Sequence, residues 1–80
     1  MLLAVNQSYY RAAIADYNKA IQINPNYANA YNNRGVARAS LKDKQGVIAD
    51  FQKAAQLYQQ QGRRAEAQKL LNIIAEVKSL

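Results

Sequence analysis

Cysteine and histidine are absent from these 80 residues, and proline occurs once, at Pro25. Without thiols there are no disulfides and no cysteine nucleophile. Without imidazole there is no general base poised near neutral pH, and nearly every transition-metal site is excluded. Acidic residues are scarce, five against eleven Lys and Arg, for a net charge of +6. No apolar run approaches the length needed to cross a membrane. The opening Met1–Gln7 is partly apolar, but it is too short and lacks the basic start of a signal peptide. A soluble, cytoplasmic protein is the expectation.

The positive charge is spread rather than massed. Residues 1–40 hold four basic side chains against one acidic, and residues 41–80 hold seven against four. Each half therefore carries the same surplus, with no basic block longer than Arg63-Arg64. Nucleic-acid binders more often concentrate their charge on one face or in a tail. Half the residues are apolar and a fifth are charged, a globular composition for one small domain.

What the chain does hold is helical spacing. Tyr10, Ala13, Ile14, Tyr17, Ala20 and Ile21 fall on one face of a helix, as do Val47, Ile48, Phe51, Ala54, Ala55 and Tyr58. Ala67, Leu70, Leu71, Ile74 and Val77 repeat the pattern, and no period-two alternation persists. Helices are predicted over 9–23, 27–41, 44–61 and 63–79, after a helical stub at the N-terminus. Ser8 is the expected cap of the first helix and Asp43 that of the third. Pro25 ends the first helix by excluding its predecessor from helical backbone. Gly62 supplies the left-handed conformation that closes the third, so that helix runs unbroken past Leu57.

One stretch is written twice. Ala13–Ile23 reads AIADYNKAIQI and Val47–Leu57 reads VIADFQKAAQL, with Ile14/Ile48, Ala15/Ala49, Asp16/Asp50, Lys19/Lys53, Ala20/Ala54 and Gln22/Gln56 identical. The offset from 13 to 47 is 34 residues. A 34-residue unit of two helices is the arithmetic of the tetratricopeptide repeat, which this chain resembles. The motif positions agree. Tyr31, Gly35, Phe51 and Ala54 stand in one unit, and Ala13, Tyr17, Ala20 and Pro25 in the unit before it. The resemblance implies an all-α fold of antiparallel helix-turn-helix repeats in a short right-handed superhelical solenoid. It divides the chain into a stub (1–7), the second helix of a partial repeat (8–27), a complete repeat (28–61) and a terminating helix (62–80).

Arg34 and Arg38 occupy positions where the family usually carries Leu and Tyr. Both project toward the packed side of their helix, where a guanidinium needs a carboxylate. Asp16 and Asp50 are the natural partners, and an ion pair of Arg34 with one of them is predicted. Replacing Arg34 by Leu is then expected to be tolerated.

Nothing in the chain composes a catalytic site. Ser8, Ser40 and Ser79 have no histidine to activate them, and no phosphate loop or paired carboxylate is present. No enzyme activity, metal or cofactor is expected. The resemblance implies a protein–protein interaction module that binds a peptide or partner helix on its concave face. The residues facing that groove are Asn29, Asn32, Asn33, Val36 and Ser40, and side-chain amides suit a peptide backbone because each donates and accepts. Asn33 matches the backbone-holding asparagine of peptide-binding members, whereas the basic carboxylate clamp of chaperone-binding members has no counterpart. A homodimer is also predicted, from the truncated first unit and from the wide apolar arc of the last helix. The alternative is a helical-repeat nucleic-acid binder using the basic surface.

Overall fold

Three short connections divide the chain, and each has a chemical cause. The computed structural model describes residues 7–80, which form α1 (Gln7–Ile23), α2 (Ala28–Ser40), α3 (Lys44–Gln60) and α4 (Arg64–Lys78). No strand occurs among the described residues. The expected stub lies outside them, apart from Gln7, which is already helical. Ser8 sits within α1 and does not cap it. Gln7–Tyr10 contains no helix breaker, and the Arg11 guanidinium reaches Gln7 Oε1 one turn back at 3.5 Å.

The connection after α1 is the proline turn. The Asn24 amide still reaches Ala20 O at 2.9 Å, Pro25 prevents continuation, and Asn24 Oδ1 accepts from the Asn26 amide at 3.1 Å. The other two connections are copies of one another. Leu41, Lys42 and Asp43 after α2, and Gln61, Gly62 and Arg63 after α3, have nearly the same backbone. In each, the third residue donates back to the helix: Asp43 N to Arg38 O at 2.9 Å and Arg63 N to Tyr58 O at 2.8 Å. The middle residue donates as well, Lys42 N to Ala39 O and Gly62 N to Gln59 O. This is the Schellman motif, which needs a left-handed residue at its centre. Gly62 takes φ 75° at no steric cost, whereas Lys42 takes φ 61° with a side chain to accommodate. Asp43 also caps α3, its Oδ1 accepting from the Gly46 amide at 3.0 Å.

The helices pack in chain order, α1 on α2, α2 on α3, and α3 on α4. Their core comprises Ala28, Val47, Phe51, Ala54, Ala55, Leu57, Tyr58, Ala67, Leu70 and Ile74. Most of it belongs to α3, the helix with a neighbour on two sides. At its centre Gly35 lets α2 approach the Phe51 ring. A Cβ on Gly35 would stand 2.6 Å from Phe51 Cε1, so the aromatic and the glycine are a matched pair. Tyr31 is half-buried against this core, and its hydroxyl donates to Pro25 O at 3.1 Å. Among the described residues, no helix is long and apolar enough to cross a membrane.

Candidate interaction surface

The ion pair expected from the sequence is present and chooses one of the two aspartates. Arg34 donates Nε to Asp50 Oδ2 at 3.0 Å and Nη2 to Oδ1 at 2.7 Å, a two-point fork. Arg38 Nη1 adds a third bond, to Oδ2 at 3.0 Å. Asp50 is 2% exposed and is the largest fully buried side chain. The hydrogen bonds to Asp50 raise the Arg34 guanidinium further above its ordinary value, and they outweigh the burial that lowers it. Asp16, the other candidate, is exposed and takes no ion pair or hydrogen bond among the described residues. The reason is positional. Arg34 lies on the helix preceding α3, and it reaches forward to α3 with its fork and back to α1 only with Nη1, which meets Asn18 Oδ1 at 2.8 Å.

This geometry also changes the expectation for Arg34→Leu. Asp50 is buried, so loss of the fork would strand a carboxylate with a single arginine, which is costly. The apolar residue usual at this position is compatible only with a partner that carries no charge.

The predicted groove residues share the open side of α2. At 100° per residue, Asn29, Asn32, Asn33, Val36 and Ser40 cover an arc of about 100°. Asn32 is half-buried and the other four are exposed, Val36 by 54%. They are not equally free. Asn29 Oδ1 accepts from the hydroxyl of buried Tyr58, and Ser40 Oγ turns back to Val36 O at 3.5 Å. Tyr58 is further covered by Arg63, whose guanidinium carbon lies 4.8 Å from the ring centroid. Asn29 thus ties α2 to α3 while lying on the open arc. Neither this tie nor the Asn18 contact was legible in the sequence, because an asparagine carries no mark of its partner.

A cleft adjoins the open arc at Ala39. It holds about 290 Å³ and is lined by Ala39 from α2, Val47 from α3, and Val77 and Leu80 at the end of the chain, with Lys42, Asp43 and Lys44 at its edge. The apolar arc of α4 divides accordingly. Ala67, Leu70 and Ile74 are buried, Ile73 and Val77 pack partly on the core, and Leu71 and Leu80 stay exposed. The arc that motivated a homodimer is thus covered only in part within the chain.

Comparison with known proteins agrees with this architecture. The family model described as TPR repeat matches residues 5–42, covering α1, the proline turn and α2. RNA polymerase II-associated protein 3 of Xenopus tropicalis is 50% identical over 48 residues, which are 60% of this chain and 7% of that protein. Its Xenopus laevis counterpart is 44% identical over the same length, with the same shares. Tetratricopeptide repeat protein 36 of Danio rerio is 39% identical over 54 residues, 68% of this chain and 29% of that protein. The chain therefore spans only a small part of the length of these relatives. No solved structure gives a significant match. With its 34-residue period, its successive helical hairpins and these matches, the chain is similar to the tetratricopeptide repeat family, whose model covers residues 5–42.

Proposed function

We propose that this chain is a non-catalytic protein–protein interaction module, binding a peptide or partner helix along the open face of α2. The observation that carries this reading is the junction of an amide-rich arc with an apolar cleft. Asn32 and Asn33 lie on the same arc of α2 as exposed Val36, which comes one turn before Ala39, a residue lining the cleft between α2 and the end of the chain. Amides there offer hydrogen bonds to a backbone, and the cleft accepts an apolar side chain. A relative named for its association with RNA polymerase II is in keeping with a protein-binding role. In this reading residues 28–61 form the complete repeat, 8–27 the second helix of a partial one, and 62–80 the terminating helix.

The nucleic-acid alternative draws on Arg34, close to Tyr31 and Asn18. That arginine is committed to Asp50, as is Arg38, and Arg63 is held by Glu66 at 2.8 Å. Salt dependence separates the two readings. Binding of an array of extended peptides to the intact chain should change little as salt rises, and Val36→Asp should abolish it. Val36 is exposed, so Val36→Asp should not alter the melt. Binding that falls steeply with salt and ignores Val36→Asp would instead indicate phosphate contacts.

A further inference from the structure

The face of α1 turned away from α2 has an exact counterpart 34 residues on, and the counterpart is covered. Adding 34 converts Ala12, Ala13, Asp16, Tyr17 and Ala20 into Gly46, Val47, Asp50, Phe51 and Ala54. On α3 the last four of these are buried beneath α2, with the arginine fork closed on Asp50. On α1 the same positions are exposed or half-buried, and all but Ala20 line an open cleft of about 300 Å³ together with Tyr9. Asp16 stands in it without a cationic partner among the described residues. From this we infer that the face is a docking site for an amphipathic helix carrying an arginine beside a glycine, its guanidinium closing on Asp16 and its glycine resting on the Tyr17 ring.

Charge and shape select this occupant. The α2 stretch Tyr31–Arg38 reads YNNRGVAR, and its Arg34-Gly35 pair is what fits Asp50 and Phe51. An aspartate and an aromatic in the same register on α1 ask for the same complement. A second copy of this chain does not supply it, because its Arg34 and Arg38 are already bonded to its own Asp50. This surface lies on α1, apart from the open arc of α2, and the inference is independent of the function proposed above.

The test adds a synthetic peptide copying residues 27–42 to the intact, isotope-labelled chain and follows backbone NMR shifts. Binding should move the signals of Ala12, Ala13, Asp16 and Tyr17. Asp16→Asn, on an exposed residue that the fold does not need, should weaken it by about tenfold or more, the size expected when one partner of a desolvated charge pair is removed. A peptide with both arginines replaced by Gln should bind as weakly to the parent as to Asp16→Asn, since the two changes remove one interaction. Shifts confined to α3, or binding indifferent to Asp16→Asn, would overturn the inference. So would sedimentation showing that the face closes in a dimer without peptide. Binding that appears only after residues 1–6 are deleted would overturn it too, by making those residues the occupant.

Discussion

α1 and α3 share six of eleven residues across their matched stretch, yet no residue of α1 is buried and seven residues of α3 are. Ile23 and Leu57 are equivalent positions. One is 86% exposed and the other 2%. Both helices have the apolar spacing that makes an amphipathic helix, so spacing alone does not determine burial. What differs is the number of neighbours. α3 is packed between α2 and α4, whereas α1 meets only α2 among the described helices. In a repeat array each helix borrows its core from the units beside it, and burial is a property of position in the stack.

The comparison can be broken most severely at its aromatic pair. Phe51→Ala should cost about 3–5 kcal/mol, because it empties the space against Gly35 at the centre of the core. The equivalent Tyr17→Ala should cost about 1 kcal/mol, the ordinary effect of a substitution outside the core. Urea unfolding of the two variants measures the gap, and equal costs would show that α1 is as fully packed as α3.

Next in size comes the aspartate pair. Arg34→Leu should destabilise by about 3 kcal/mol, the lower end of the range for breaking a buried ion pair, because Arg38 still holds Asp50. Arg34→Leu combined with Asp50→Leu should recover part of that loss, since the buried carboxylate is gone and half-exposed Arg38 keeps Asp43 at 3.9 Å. Asp16→Ala should fall within about 0.5 kcal/mol of the parent. Thermal melts of the three variants provide the ordering.

The two Schellman turns provide a smaller contrast. Lys42 holds the same left-handed backbone as Gly62, and Lys42→Gly should stabilise by about 1 kcal/mol as that strain is relieved. An unchanged or lowered melting temperature would mean that the lysine side chain contributes more than its backbone costs. Smallest of all is the effect of Glu66. Arg63 holds its carboxyl below the usual 4.5, so the folded chain releases this proton at lower pH than the unfolded chain does. The contribution is therefore complete above 4.5 and is lost as pH falls through the lower folded-state value. Acid titration of Glu66→Gln should show a slightly shallower loss than the parent over that range, slight because the side chain sits in solvent.

Much of this architecture could be read in the letters. Pro25, Asp43 and Gly62 act by local chemistry, and each set its boundary to within a residue of the expected place. The 34-residue self-match also announced helical hairpins without reference to any neighbour. What the letters left open depends on contacts between helices. Asp16 and Asp50 are the same residue in the same local sequence, and only the helix packed in front of Asp50 distinguishes them. Lys42 gave no sign of a left-handed backbone, since that conformation is imposed by the turn joining α2 to α3. Asn29 sits in the stripe that suggested peptide binding, and its bond to Tyr58 spans 29 residues of sequence.

The central claim is that two helices with closely matched sequences differ in stability because, among the described helices, one is packed on two sides and the other on one. Amide hydrogen exchange measures this directly, residue by residue, in the unmodified protein. The account predicts that the slowest amides lie in α3, exchanging only through global unfolding. The matched amides of α1, from Ala13 to Ile23, should exchange faster through local opening. Equal protection along the two stretches would contradict it.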